Sequence, residues 1–187
     1  MKKTGKNIIL GVTGSIAAYK AADIARKLAK NGHNVQAILT KNGSRFITAE
    51  TLETLTGNKV YEDTFDSKRL SRTEHIALAK KADIAVVAPA TANLIAKAAA
   101  GIADDMLTTV MLALKNTPVL IAPAMNTAMY ENPITQRNIR SLTEFGFEFI
   151  EPREAELACS DTGKGALAQV DDIIDRIEKV LQQAKEQ

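Results

Sequence analysis

The sequence predicts an α/β fold: a single domain over residues 1–187, built as three layers with helices on both faces of a parallel sheet. Three observations carry this. Short aliphatic runs alternate along the chain with longer amphipathic stretches. The aliphatic runs do not themselves alternate apolar with polar, which is the pattern of strands buried on both faces. The chain has 187 residues, 45% hydrophobic and 25% charged, which suits one core.

In order, Asn7–Val12 reads as the first strand and Ser15–Asn31 as a helix. Ala18, Ala21, Ile24, Ala25 and Leu28 recur along that helix at helical spacing, and Gly32 is placed to end it. Val35–Leu39 is the second strand. Residues 41–74 carry only weak signals: a helical piece near Ala49–Leu55, a turn at Gly57-Asn58 and the start of a short helix, Glu74–Lys81. Ile84–Ala88 is an uninterrupted apolar strand, followed by helical sequence over Ala92–Ala100 and Asp104–Leu114. The second of these is apolar almost all round, so it is either deeply buried or part of a subunit interface. Val119–Ala122 is another buried strand, Thr135–Phe145 a helix, Phe147–Ile150 a last strand and Asp171–Ala184 a closing helix. No repeat, linker or second domain is evident, so the expectation is a monofunctional chain.

Composition narrows the function classes. The N-terminus is basic, but the short strand behind it is no signal-peptide core, and no stretch approaches a membrane span. A single cysteine fits a reducing, cytoplasmic setting. The net charge of +2 hides a split: residues 1–81 carry 15 basic and 7 acidic side chains, residues 82–187 carry 9 and 15. Solvated faces of opposite sign, which subunits can match against each other, account for it better than nucleic acid does. There is no compact basic tract and no tryptophan, and aromatics are few.

In sheets of this kind ligands bind outside the carboxyl ends of the strands. His33 precedes a strand, so it is expected to be a surface turn residue without a functional role. The loop after the first strand is Gly11-Val12-Thr13-Gly14-Ser15-Ile16-Ala17-Ala18. It suits a phosphate on a helix N-terminus, or it is a plain tight turn. Thr13 and Ala17 stand where a dinucleotide fingerprint needs glycines, and Thr40-Lys41 ends the second strand without an acidic residue. Both features favour a mononucleotide over NAD.

After the third strand, Pro89-Ala90-Thr91-Ala92-Asn93 offers a hydroxyl that can cap a helix and a nearby amide that can face a ligand. After the fourth, Pro123-Ala124-Met125-Asn126 and Met129 would suit a flat apolar ring with one polar anchor. His75, near a helix start, is either a cap or a neutral base or donor. The lone Cys159 lies in Leu157-Ala158-Cys159-Ser160-Asp161-Thr162-Gly163-Lys164-Gly165-Ala166-Leu167. By residue type alone it is either inert packing or a chemical group.

Taken together, Gly-Val-Thr-Gly-Ser-Ile-Ala-Ala at 11–18, His75-Ile76, Pro-Ala-Thr-Ala-Asn at 89–93 and Pro-Ala-Met-Asn at 123–126 resemble the homo-oligomeric flavin-containing cysteine decarboxylases. The likeness runs from about residue 6 to 180 and implies a Rossmann-like, flavodoxin-like domain. Within that family, Leu-Ala-Cys followed by Gly-x-Gly-Ala-Leu resembles the coenzyme A branch, which converts 4'-phosphopantothenoylcysteine to 4'-phosphopantetheine. Ser160 and Glu156 depart from that branch's usual loop.

The resemblance implies FMN bound between the subunits of a homotrimer, with trimers able to assemble into a dodecamer. Gly14, Ser15, Ile16, Thr40, Lys41, Phe46, Thr91, Ala92, Asn93 and Ala124 would bind FMN. Asn126, Ala158 and Leu167 would bind substrate, the last two from a flap.

It further implies oxidation of the substrate's CH2–SH group to a thioaldehyde, then loss of CO2 to an ene-thiolate. His75 would act as base or positioner and Asn126 as the carboxylate anchor, while Cys159 would protonate the ene-thiolate before its reduction. No metal, membrane or nucleic acid is implied. Two alternatives stay open: a lantibiotic-type peptidyl-cysteine oxidative decarboxylase, and a non-catalytic FMN-binding regulatory subunit. A prenyl-FMN-type transferase and an NAD(P) dehydrogenase fit less well, the first against His75 and Pro-Ala-Met-Asn, the second against the glycine pattern.

Overall fold

The computed structural model describes residues 5–64, 73–156 and 162–183. Its main sheet has five strands: β1 (Asn7–Val12), β2 (Asn34–Leu39), β3 (Ile84–Ala90), β4 (Val119–Pro123) and β5 (Glu148–Phe149). They lie in the order β2-β1-β3-β4-β5 and every neighbouring pair is parallel. The order reverses between β1 and β3, so the chain leaves a crevice at their carboxyl ends.

Successive residues of each strand serve different cores, which is why the strands look uniformly apolar in sequence. Ile8, Leu10, Val12, Val86 and Ala122 face one layer, where they pack with Ile24 and Leu28 of α1 (Lys20–Lys30) and Ile173 and Ile177 of α8 (Val170–Gln183). Ile9, Ala85, Val87 and Ile121 face the other. Leu94 and Ile95 of α4 (Ala92–Ala99), Leu107 and Val110 of α5 (Met106–Ala113) and Leu142 of α7 (Pro133–Glu144) cover them. The expected three-layer α/β domain is the observed one.

Several boundaries differ from the sequence expectation. The helix expected over Ser15–Asn31 is two pieces, a 3-10 turn at Ile16–Tyr19 and then α1, because the Ser15 hydroxyl accepts the Ala17 N–H and tightens the first turn. Gly32 ends α1 at φ +88°, as expected of a left-handed stop. α5 begins at Met106, since Asp105 and Thr108 form a reciprocal capping box. It is not buried all round: Leu112 is 63% exposed, while Leu107 and Val110 lie in the core.

A short α6 (Thr127–Glu131) precedes α7, and Pro133 at the first turn of α7 behind the Asn132 cap makes the break. α2 (Ala49–Thr56) and α3 (Glu74–Lys81) occupy the stretch between β2 and β3. An antiparallel hairpin, β6 (Arg153–Glu156) with β7 (Thr162–Ala166), follows β5.

His33 does sit in the turn before β2, but it is buried at 8% exposure rather than on the surface. Its Nδ1 accepts the Lys6 N–H and its Nε2 lies 2.9 Å from Glu178. The charge split is met partly inside the chain, where basic residues of the first half pair with acidic residues of the second: Lys6 with Asp83, and Lys27 with Asp171.

Candidate functional site

The carboxyl ends of β1, β2 and β3 are tied into one platform by two threonines. Thr13, 2% exposed, donates its hydroxyl to the Pro89 carbonyl at 2.8 Å and accepts the Thr91 N–H at 3.1 Å, joining the β1 and β3 loops. Thr40 donates its hydroxyl to the Val12 carbonyl at 3.2 Å and accepts the Gly43 N–H at 3.2 Å, joining the β2 loop to β1. The Thr13 role was missed in the sequence, where this residue registered only as a missing glycine. A hydroxyl between two loops can bridge a carbonyl and an amide, which glycine cannot.

On this platform Gly14 comes against the β2 loop so closely that an added Cβ would lie 2.5 Å from Asn42 Cβ. Only a bare backbone fits there. The N–H groups of Gly14 and Ile16 have no hydrogen-bond acceptor among the described residues. Two amides directed out of a tight turn at the start of helical structure suit an anion. They fit the phosphate of a mononucleotide.

Two clefts meet here, sharing Gly14, Thr91 and Met129. One, of about 500 Å³, is lined by Thr13, Thr40, Lys41, Asn93 and Lys97 among others. The other, of about 430 Å³, is lined by Ser15, Ile16, Lys20, Ala124, Asn126 and Leu167 among others. Each falls within the size range of small-molecule sites. At the rim of the first, Lys97 bonds Asp104 at 2.6 Å, and that hydrogen bond raises the ammonium above its ordinary value. In the second, burial lowers the Lys20 ammonium, and the neighbouring Arg153 charge adds to the effect.

Asn126 caps α6, with its Oδ1 accepting the Ala128 N–H at 2.8 Å. That fixes the orientation of the amide, with its oxygen toward the helix. The hairpin closes the cleft opposite. The Met125 N–H donates to the Gly165 carbonyl at 3.0 Å, and an added Cβ on Gly165 would stand 2.3 Å from the Met125 carbonyl oxygen. Leu167, 1% exposed, forms part of the wall.

Most residues expected at the site are therefore gathered by the fold. Gly14, Ser15, Ile16, Thr40, Lys41, Thr91, Asn93, Ala124, Asn126 and Leu167 each line at least one of the two clefts. Ala92 sits in the first turn of α4 and Phe46, 45% exposed, closes a 3-10 turn after β2; neither lines the clefts. His75 is half-buried near the start of α3 and also lines neither. Ala158 and Cys159 lie outside the described residues. A larger cleft of about 600 Å³, lined by Ile102, Leu112, Phe145 and others, opens beside Pro118 and Val119 at the amino end of β4. It is at the wrong edge of the sheet for this chemistry.

Among relatives, the chain is 49% identical over 177 residues to a probable phosphopantothenoylcysteine decarboxylase of Streptococcus mutans, covering 94% of this chain and 99% of that protein. Longer relatives are bifunctional coenzyme A biosynthesis proteins; the chain spans 43% of the one from Bacillus subtilis, at 48% identity. Among solved structures, it superposes on a cysteine-to-serine mutant of a PPC decarboxylase complexed with pantothenoylaminoethenethiol. The TM-score is 0.85 at 30% identity, over 95% of this chain and 99% of the other. It also superposes on the FMN-dependent cysteine decarboxylase SpaF, with a TM-score of 0.83 at 33% identity over 99% of both. With residues 1–182 matching the family pattern, the chain belongs to the Flavoprotein family.

Proposed function

We propose that this protein is an FMN-dependent decarboxylase that converts 4'-phosphopantothenoylcysteine to 4'-phosphopantetheine in coenzyme A biosynthesis. One observation carries the reading: an anion-binding turn and an apolar cleft anchored by Asn126 meet at the β1/β3 switch point. The relatives' names and the mutant complex support the same substrate class.

The turn at Gly14–Ile16 would hold the FMN phosphate, and Thr40, Lys41, Phe46, Thr91, Ala92, Asn93 and Ala124 the rest of the cofactor. When bound, FMN supplies the two-electron acceptor that lets the cysteine moiety become an electron sink. The chain's own residues then do the positioning. Asn126 would donate its amide to the substrate carboxylate, which leaves as CO2. Leu167, with Ala158, would exclude water from the reacting end. His75 would serve as base or positioner. Cys159 would give its proton to the ene-thiolate carbon, and only with return of the hydride removed in the first oxidation would a saturated thiol leave.

His75 lines neither cleft of its own chain, which supports a site completed by a neighbouring copy in a homotrimer. The exposed Ile16, Tyr19 and Met129 at the cleft mouth support the same arrangement. No helix of the described residues is long and apolar enough to cross a membrane. The single cysteine in the sequence supports a reducing, cytoplasmic setting.

Purification tests the cofactor. The protein should be yellow and release FMN on denaturation. A colourless protein that takes up no added FMN would sink the reading.

A further inference from the structure

The residue between the two hairpin glycines, Lys164, has no part in the chemistry above and lines neither cleft. We infer that Lys164, Glu151 and Tyr130 form a clasp that sets the substrate-side wall against Asn126, which makes Lys164 a positioning residue for the proposed decarboxylation. This rests on the function proposed above for its kinetic part and on geometry alone for the rest.

Leu167 and Ala168, 1% and 4% exposed, anchor the end of β7 in the core, but the strands ahead of them have fewer holds. A two-stranded ribbon is marginal by itself. The strand that docks on α6 presents Gly163 and Gly165 to it, so the contact brings no side-chain burial. An added Cβ on Gly163 would lie 2.6 Å from the Thr127 hydroxyl, so Gly163 sits directly over it. That hydroxyl oxygen is buried without a hydrogen-bond partner among the described residues, a cost that docking carries. The hairpin's hydrogen-bonded attachment is the Met125 N–H to Gly165 carbonyl bond at 3.0 Å, while the bond from Arg153 Nε to the Leu167 carbonyl at 3.1 Å ties β6 to the end of β7 within the hairpin.

Lys164 adds another attachment. Its ammonium lies 2.5 Å from Glu151 and 5.7 Å from the centre of the Tyr130 ring, and the Tyr130 hydroxyl donates to the same Glu151 oxygen at 3.3 Å. Tyr130 is 7% exposed and belongs to α6, the helix that Asn126 caps. One cation on β7 is thus held by an anion after β5 and a ring on α6. The three together fix Gly165–Leu167 relative to Asn126.

The test compares Lys164→Met, Glu151→Gln and the double variant with the parent, using Lys164→Arg as rescue, all as FMN-loaded protein. Amide exchange at Met125, whose N–H is bonded to Gly165, should quicken about fivefold in each single variant and no further in the double. KM for phosphopantothenoylcysteine should rise by about the same factor at low salt, with kcat and flavin content held and Tm down by no more than about 4 °C, and Lys164→Arg should restore it. Unchanged Met125 exchange overturns the clasp whether or not the protein turns over. Faster exchange with an unchanged KM in an active enzyme overturns the positioning role. So does a KM change that merely follows lost flavin or a larger fall in Tm. A parent that releases no CO2 defeats the proposed function and the kinetic claim with it, while the exchange data still decide the clasp.

Discussion

Replacing Gly14 with alanine places a methyl group where the β1 and β2 loops touch. The new carbon would lie 2.5 Å from Asn42 Cβ and 3.0 Å from the Asn42 carbonyl carbon and oxygen. Ordinary carbon contacts are about 3.5–4.0 Å, so the loops must separate by about 1 Å. Neither side yields easily. Thr13 ties the first loop to Pro89 and Thr91, and Thr40 ties the second to Val12 and Gly43. Gly43 cannot shift inward either, since its own Cβ position is 2.7 Å from the Val12 carbonyl oxygen. Overpacking of this kind costs about 1–3 kcal/mol. If that cost falls on the bound arrangement of the loops, FMN affinity drops by about ten- to a hundredfold.

Titration of the cofactor-free variant with FMN, read by quenching of flavin fluorescence, measures the drop. Gly57→Ala is the control. Gly57 has φ +69° with nothing within 4 Å of its Cβ position, and it lines neither cleft. It should therefore lower Tm without touching FMN affinity. A Gly14→Ala protein that binds FMN as the parent does would refute the proposed cradle.

Three further predictions concern other parts of the molecule. His75→Asn should keep FMN and lose CO2 release by about a hundredfold or more; near-normal turnover removes the residue from the chemistry. Cys159→Ser should still release CO2 but deliver an unreduced enethiol and leave reduced flavin behind; ordinary phosphopantetheine at the parent rate makes the cysteine mere packing. Asp83→Asn tests the amino edge of the sheet. Burial pushes the Asp83 carboxyl up, but the Asn7 N–H at 2.7 Å and the Lys6 ammonium at 2.9 Å outweigh it and hold the group below its ordinary value. A depressed carboxyl contributes stability above its unfolded value, and that contribution is lost as pH falls through the folded value. Removing about 1 kcal/mol should lower Tm at pH 7 by about 2–4 °C, and the gap should narrow as pH falls below the ordinary carboxylate range. A gap independent of pH contradicts the pairing.

The sheet was legible because burial on both faces writes itself as unbroken aliphatic runs. β2 begins at Asn34, one residue before the expected Val35, and β3 runs two residues beyond the expected Ala88. The cleft residues were legible because the rule about strand ends sorts loops without any side-chain detail. What resisted was short. The 3-10 turn at Ile16–Tyr19 spans one turn, too few residues to break a helical period. α6 is five residues long, and its separation from α7 is announced only by Asn132-Pro133. The β6–β7 hairpin gave no strand signal, because Gly163 and Gly165 dock by lacking side chains and no apolar alternation remains to be read. His33 defied its expected exposure because a turn at the sheet's amino edge can still be covered by a distant helix, here through Glu178 of α8. Its place at a helix start left His75 either a cap or a base, the resemblance favoured the base, and its own chain brings it to neither cleft.

The most direct test of the account weighs products. The FMN-loaded protein is offered 4'-phosphopantothenoylcysteine and, separately, a peptide ending in cysteine. The account predicts that the small substrate loses one CO2 and nothing else, giving 4'-phosphopantetheine, while the peptide is left intact. Loss of CO2 together with two hydrogens from the peptide, or no mass change in either substrate, would contradict it.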